Sequence, residues 1–379
     1  MLIRDVAYDS LPKRDRAGLH RDIASWAEVE LADRVDEFGE LIASHLVTAM
    51  RYEEEFAAGA SDTLSELRAR TYRAALRAAR RANALSQIAA AERWYRIAVE
   101  VGSVIEIPPR ELAAIANEYQ DAAYLASDPT IAASVLQRAL RAMETVELTP
   151  DDELLVARLN MYLGQATFKL DDIDSARRIL RDAIAAIDGH GPTPERAQLL
   201  EYLGWTYWRA GPVAEAIDLL EASVAEAQRC GDERTLRWAK HDLGIAVGMV
   251  GRVREAVEVM EESLRLAEEA EDRNLLMRCY INLPATRAQA GADVEANLAL
   301  TEQGLRHARR AAAGVTVAWL AGNLMGFCQE TGRLEEALAY ANEALEASRA
   351  YEPSNVRMML VYRALTHRLR GELDAALVD

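Results

Sequence analysis

A 40-residue interval recurs in the second half of the chain and constrains its fold more than any other feature. The dipeptide Leu163-Gly164 is followed at this interval by Leu203-Gly204, Leu243-Gly244 and Leu283-Pro284. An alanine stands twelve residues after each second member, and a large apolar residue follows four residues after each alanine. These residues are Ala176, Ala216, Ala256 and Ala296, then Leu180, Leu220, Met260 and Leu300. Self-similarity at a fixed interval of this length predicts a repeat protein, in which each repeat is one supersecondary unit.

Each repeat is predicted to be a pair of antiparallel helices, because Ala, Leu, Glu and Arg dominate the composition and favour helix. The turn between the helices is expected seven residues after the dipeptide, at Asp171, Gly211, Gly251 and Gly291. Glycine is suited to such a turn because it adopts a positive φ without strain. Small residues at the Gly164 and Ala176 positions would let the two helices approach closely, and large residues at the Leu163 and Leu180 positions would fill the remaining space. A single hairpin cannot bury its apolar face, so neighbouring hairpins must stack.

The pattern extends in both directions with small drift. Gly332 and Ala337 place a further hairpin around Met325, and Gly371 with Ala376 places another around Ala364. Upstream, residues near Ala79 to Ala98 fit one unit and residues 112–147 fit another. The sequence therefore predicts an all-α fold, an α-α superhelix of about eight helical hairpins over residues 66–379. A long coiled coil is disfavoured, because the turn glycines would interrupt its heptads.

The order of leucine-glycine, then a small residue, then a large residue resembles the tetratricopeptide repeat. The resemblance covers roughly residues 66–379, and it implies a solenoid that binds a protein or peptide in a concave groove. The usual repeat has 34 residues, so each helix of this chain is expected to be longer by most of a turn. Pro284 stands where glycine is expected, and it predicts a kink or an early helix end at that position.

Residues 1–60 lie outside the period and are predicted to form a separate helical segment. Residues 2–28 and 40–45 resemble the segment that follows the ATPase module in bacterial signal-transduction ATPases, including cyclase-linked and LuxR-type regulators. In that family the segment closes a winged-helix-like region, and His20 and His45 of this chain are expected to make structural contacts. The chain contains no GxxxxGK[ST] motif, so nucleotide hydrolysis does not carry over. The resemblance implies the C-terminal part of such a regulator, or a product that lacks the front part.

Charge and composition exclude several classes of function. A net charge of −17 argues against direct nucleic-acid binding, because phosphate contacts need a basic face. A local exception is an arginine stripe at helical spacing, expected to be a salt-bridged face or, alternatively, a docking surface for an acidic partner. It comprises Arg70, Arg73, Arg77 and Arg80.

Three cysteines outside any CxxC pair fit a reducing cytoplasm. No apolar signal core opens the chain, and the uncharged stretch 311–329 is predicted to be a buried solenoid helix and not a membrane span.

No constellation of catalytic residues is apparent in the sequence. The six histidines show no HExxH or other compact ligand spacing, and no GxSxG motif is present. Adjacent carboxylates such as Glu261 and Glu262 diverge by roughly 100° on a helix and do not face one substrate. We therefore expect no enzyme activity, no metal and no cofactor.

The resemblance assigns the lining of the groove to particular positions on the first helix of each hairpin. At these positions the chain carries Tyr162, Phe168, Lys169, Tyr202, Trp205, Trp208, Arg209, Trp238, His241, Asp242, Asn282, Trp319 and Asn323. Aromatic anchors with scattered hydrogen-bonding groups suit a peptide or a helix. The alternative is that some of these rings pack between adjacent hairpins. A chaperone-tail carboxylate clamp is disfavoured, because Gln289 and Glu330 stand where basic residues are needed.

Two functions follow as alternatives. The first is a non-catalytic protein- or peptide-binding scaffold within a cytoplasmic bacterial signalling or transcriptional regulator. The second is the sensor arm of a larger ATPase or cyclase regulator, which binds a small-molecule inducer or self-associates through the apolar face of an incomplete last hairpin.

Overall fold

A computed structural model of the chain describes residue 8 and residues 10–34, 37–56, 62–123 and 128–379. Two compact units are present, Met1–Gly191 (unit 1) and Pro192–Asp379 (unit 2). The described residues of unit 1 contain α1 (Lys13–Glu30), α2 (Gly39–Phe56), α3 (Asp62–Ala84), α4 (Ile88–Val104), α5 (Pro109–Ala123), α6 (Pro129–Met143), α7 (Pro150–Lys169) and α8 (Ile173–Ala186). Unit 2 contains α9 (Pro194–Ala210), α10 (Val213–Cys230), α11 (Glu233–Met249), α12 (Val253–Glu269), α13 (Arg273–Gln289), α14 (Val294–Arg310), α15 (Gly314–Glu330), α16 (Leu334–Tyr351), α17 (Val356–Leu369) and α18 (Leu373–Val378). Three short 3-10 helices complete the regular structure of the described chain, in which no strand occurs.

Consecutive helices pack as hairpins. In unit 1 the pairs are α1 with α2, α3 with α4, α5 with α6 and α7 with α8, and in unit 2 they run from α9 with α10 to α17 with α18. Eight of these hairpins lie between Asp62 and Val378. The predicted all-α fold of about eight helical hairpins is therefore confirmed.

A glycine in the first helix and a large side chain in the second set how closely the helices of a hairpin approach. A Cβ atom at Gly204 would lie only 2.7 Å from Leu220 Cγ, which is shorter than any tolerated contact. The same relation recurs at the pairs Gly164–Leu180 and Gly244–Met260. These large side chains are fully buried, as are the alanines four residues before them. The physical reason for the spacing seen in the sequence is thus interlocking of small and large residues between paired helices.

The turns follow the prediction at three of the four positions. Asp171, Gly251 and Gly291 have φ values of 67°, 86° and 76°, in the left-handed region. At Gly211 the expectation of a positive φ is wrong, because this residue is extended with φ −174°. The next residue is Pro212, and a residue before proline is restricted to extended conformations.

Pro284 does not end its helix. The helix α13 continues from Arg273 to Gln289 with Pro284 inside it, so the expected early end is wrong. A proline in a helix interior costs roughly 3 kcal/mol, because it removes one backbone hydrogen bond and crowds the preceding turn. Leu283 and Pro284 are buried, and α13 packs against α11, α12, α14 and α15. Packing on several sides therefore outweighs the local cost.

The first helices of unit 2 pack against one another in series. The helix α9 contacts α11, α11 contacts α13, α13 contacts α15, and α15 contacts α17. These contacts are closer than those between the second helices of successive hairpins. The side formed by α9, α11, α13, α15 and α17 is therefore the inner side of unit 2, and we call it the inner face.

Two of the four arginines of the α3 stripe form salt bridges. Arg70 pairs with Glu28 of α1 at 2.7 Å, and Arg80 pairs with Glu118 of α5 at 2.8 Å. In the first hairpin, the Nδ1 atoms of His20 and His45 lie 2.6 Å apart. Burial lowers the pKa of both imidazoles, and the neighbouring His45 lowers the pKa of His20 further.

The uncharged stretch 311–329 lies largely in α15, whose side chains are mostly buried or half-buried against neighbouring helices. Among the described helices, none combines the length and apolar character that a membrane span requires.

Candidate functional site

Two rows of equivalent residues cross the inner face, and each begins at a tryptophan and continues through smaller side chains. The first row is Trp205, Ile245, Ala285 and Gly326, and the second is Trp208, Gly248, Ala288 and Gln329. Successive members are 40 residues apart, with 41 at the last step, and every member is half-buried. Equivalent positions on stacked first helices lie on the same side, so each row follows the inner face.

Small residues leave the backbone of the central helices accessible. A Cβ atom at Gly326 would meet no atom of a neighbouring element within 4 Å. A Cβ atom at Gly248, in contrast, would lie 3.4 Å from Ala256 Cβ of α12. We call Ala285, Ala288 and Gly326 the floor. A ligand on the floor could approach the backbone of α13 and α15 closely.

The aromatic side chains of α9 form a wall beside the floor. The rings of Tyr202 and Trp205 are 6.1 Å apart at an angle of 58°. The guanidinium carbon of Arg209 lies 5.6 Å from the Trp205 ring centroid and 5.5 Å from that of Trp208. Among the described residues, the buried Nε1 of Trp208 has no hydrogen-bond acceptor. We call Tyr202, Trp205, Trp208 and Arg209 the α9 wall.

Trp238 is engaged within the protein. Its Nε1 donates to Asp272 Oδ2 at 3.0 Å, and the guanidinium carbon of Arg278 lies 5.1 Å from its ring centroid. Asp272 also accepts from Arg237 and from the backbone N–H of Leu275 at the start of α13. Burial opposes ionisation of Asp272, but these hydrogen bonds outweigh it and lower the pKa of the carboxyl group. Trp238 therefore ties α11 to α13.

A buried polar network lies beneath the inner face. The amide Nδ2 of Asn282 donates to His241 Nε2 at 3.1 Å, so the imidazole carries its proton on Nδ1. That Nδ1 donates to Asp242 Oδ1 at 2.8 Å. Both His241 and Asp242 are completely buried.

Glu201 completes this network. The second oxygen of Asp242, Oδ2, has no N–H or hydroxyl donor among the described residues, and the carboxyl group of Glu201 lies within hydrogen-bonding reach of the Asp242 carboxyl group. Burial, and then the charge of Asp242, raise the pKa of Glu201 well above its ordinary value. This direction favours a protonated Glu201 that donates to Asp242, since two buried carboxylates in contact do not both ionise readily. With Asn282 and His241, this chain of hydrogen bonds joins α9, α11 and α13.

The other predicted groove residues occupy several environments. Asn323 Nδ2 donates to the backbone oxygen of Ile281 at 2.7 Å, which joins α15 to α13. Trp319, in the second turn of α15, is 37% exposed. The remaining three residues lie on α7 in unit 1, where Tyr162 and Phe168 are half-buried and Lys169 is exposed.

Sequence reasoning missed Glu201 and the floor. Glu201 stands 40 residues before His241, so the repeat interval itself marks it as equivalent to a predicted groove residue. Ala285 and Ala288 follow Trp205 and Trp208 by two repeat intervals, and Gly326 follows Trp205 by three intervals and one residue. Within the described chain, no group of three or more His, Cys, Asp or Glu residues is placed to hold a metal ion.

Stacked helical hairpins, with an aromatic wall on the row of first helices, define a helical-repeat solenoid. Residues 195–269, which span α9 to α12, match the tetratricopeptide repeat family model. The resemblance to tetratricopeptide repeats seen in the sequence is therefore confirmed over these two hairpins. No curated protein sequence matches the chain.

Solved structures of similar fold include regulators of the Rap and NprR type. The apo form of RapI is 14% identical, with a TM-score of 0.58, over 73% of this chain and 97% of that one. The Rap conjugation gene regulator of plasmid pLS20, in complex with the Phr* peptide, is 14% identical with a TM-score of 0.55, over 91% of this chain and 98% of that one. NprR in complex with its cognate peptide NprX is 14% identical with a TM-score of 0.51, over 71% and 76% of the two chains. At this identity the likeness is one of fold.

Proposed function

We propose that this chain is a non-catalytic scaffold that binds a protein segment or peptide on the inner face of unit 2. The observation that carries the proposal is the α9 wall standing beside the floor. Large aromatic residues supply anchors at low entropic cost, and small residues let a ligand backbone approach the helices. This arrangement suits an extended chain better than a compact small molecule, because the rows cross four successive hairpins.

The structural comparisons support the proposal at the level of fold. Two of the similar structures hold a peptide, the Phr* peptide in one and NprX in the other. We extend peptide binding to this chain, and with it a role as part of a cytoplasmic bacterial signalling or transcriptional regulator. The scaffold itself binds neither nucleic acid nor membrane in this proposal, in keeping with a net charge of −17.

The proposal is tested by blocking the floor at Gly326. A phenylalanine there would project into open space, because no neighbouring atom lies within 4 Å of the Cβ position. The probe is a library of synthetic fluorescent octapeptides, prepared both as free acids and as C-terminal amides, and binding is measured by fluorescence polarisation. We expect Gly326→Phe to weaken the best binders at least tenfold, whereas Gly326→Ala leaves their affinity nearly unchanged.

Gly18 provides a matched control in unit 1, since a Cβ atom there also meets nothing within 4 Å. Gly18→Phe should leave peptide affinity unchanged. The double variant Trp205→Ala with Trp208→Ala should abolish binding while helicity, measured by circular dichroism, is retained. A library without binders, or equal affinity for wild type and Gly326→Phe, would contradict the proposal.

A second candidate function is the sensor arm of a larger ATPase or cyclase regulator, which binds a small-molecule inducer or self-associates. Two observations favour it, the resemblance of residues 2–28 and the exposed apolar side chains of the last hairpin, including Val361, Leu373 and Leu377. Exposed apolar patches of this kind often mark interaction sites. Sedimentation equilibrium distinguishes self-association, which Leu377→Asp should abolish, from a monomer at all concentrations.

A further inference from the structure

Arg209 lies exposed near the C-terminal end of α9, at the edge of the α9 wall. Its guanidinium carbon is within 5.6 Å of two ring centroids, those of Trp205 and Trp208. Both distances are within the range of a cation–π interaction. This interaction engages the ring electrons and none of the five N–H donors of the guanidinium. The two tryptophans thus restrict the position of Arg209 and leave its hydrogen-bonding capacity unused.

Some other arginines of unit 2 pair these donors with carboxylates of neighbouring helices. Arg287 pairs with Glu261 at 2.6 Å, and Arg309 pairs with Glu343 at 2.6 Å. For Arg209, no carboxylate, carbonyl or hydroxyl partner is present among the residues that the structure describes. An arginine that is held in place and has free donors presents a fork that matches the two oxygens of a carboxylate.

The surroundings narrow the class of ligand. Next to Arg209, the inner face offers aromatic and small apolar side chains, which suit a chain with apolar residues and a single anionic group. A polyanion is disfavoured, because the net charge of −17 repels it at long range. Recognition of one carboxylate then depends on direct contacts with Arg209 and not on the long-range electrostatic potential of the protein.

We propose that Arg209 binds a carboxylate of the peptide ligand, with apolar residues of the same peptide against Trp205 and Trp208. The carboxylate belongs either to an Asp or Glu side chain or to the free C-terminus. This inference rests on the proposed function, and it adds the chemical class of the ligand.

The test uses the octapeptides that bind wild-type protein in the library described above. For each, one derivative replaces Asp or Glu by its amide, and another carries a C-terminal amide. We expect one of these two changes to lower affinity for the wild-type protein at least tenfold, which also identifies the source of the carboxylate. Because this comparison leaves the protein unchanged, it does not depend on how a variant folds.

The protein variants give an independent measurement. Arg209→Gln should lower peptide affinity at least tenfold. The affinity of Arg209→Lys should lie between those of wild type and Arg209→Gln, since lysine keeps the positive charge but lacks the two parallel N–H donors of the guanidinium. Arg254 is exposed on α12, a second helix, so Arg254→Gln removes the same charge away from the inner face and should have no effect. Thermal unfolding monitored by circular dichroism verifies that each variant is folded.

The possible failures are distinguishable. Suppose that peptides bind and that Gly326→Phe blocks their binding. If their affinity is then unchanged by Arg209→Gln and by loss of their carboxylates, this inference is wrong and the proposed function stands. Arg209-dependent self-association in place of peptide binding would also overturn it. If Gly326→Phe has no effect on peptide binding, the proposed function fails and this inference fails with it.

Discussion

Replacing Glu201 by Gln tests whether a neutral carboxyl group holds the buried network together. In the wild type, the Glu201 carboxyl group donates to Asp242, which in turn accepts from His241. Glutamine has almost the same shape and can donate an amide N–H to the same oxygen, but it cannot ionise. We therefore expect Glu201→Gln to fold, and to change how the free energy of unfolding depends on pH.

The sign and size of the change follow from the raised pKa of Glu201, whose ordinary value is 4.5. At a pH above this value the unfolded chain releases the proton, whereas the folded chain keeps it. Stability contributed by Glu201 is fully present below the ordinary pKa and is lost as pH rises toward the folded-state pKa. The loss in this window is about 1.4 kcal/mol per pH unit for one group. The Gln variant lacks this loss.

Urea unfolding followed by tryptophan fluorescence measures the effect, because four of the six tryptophans lie in unit 2. The free energy of unfolding of Glu201→Gln minus that of wild type should increase by about 1.4 kcal/mol per pH unit above roughly pH 5. Glu221→Gln, an exposed position in α10, serves as the control and should give a constant difference. Parallel pH profiles for wild type and Glu201→Gln would refute a shared proton in the network.

Two further predictions concern packing and cysteine chemistry. Leu220→Ala should lower the free energy of unfolding by about 2–5 kcal/mol, and Gly204→Ala should lower it by about 1–3 kcal/mol. The double variant should lose less than the sum of these two values, because the new methyl group occupies space vacated by Leu220. Urea unfolding of the four proteins measures this coupling, and additive costs would contradict the close contact. In native protein at pH 8, a thiol reagent should modify the half-buried Cys230, whereas Cys279 and Cys328 react only after unfolding, because burial raises their pKa to about 12 and about 11. Equal modification rates at all three positions would be incompatible with this burial.

Much of the fold could be predicted because the repeat interval carries its own physical reason. A glycine and a large apolar residue sixteen positions later, such as Gly204 and Leu220, must face each other in a hairpin of this length. Local departures were not predictable in the same way. Gly211 is extended because a proline follows it, and α13 continues through Pro284 because packing on several sides stabilises the helix.

For the candidate site, the interval placed Trp205, Trp208 and Arg209 on first helices of the stack. It did not separate residues that remain accessible from those that neighbouring helices cover. His241 and Asp242 occupy groove positions by register, yet both are completely buried. Their burial depends on how closely α9, α11 and α13 pack. The spacing of residues along one helix does not predict that distance.

The amino-acid sequence by itself determined the repeat, the pairing of helices and the positions of the aromatic residues, because these depend on spacing along the chain. Tertiary structure alone decided which donors and acceptors meet. It paired Trp238 with Asp272, enclosed Glu201 with Asp242, and left the guanidinium of Arg209 without a carboxylate among the described residues. The physical reason is that these outcomes depend on distances between helices of different hairpins, set by the packing of their side chains.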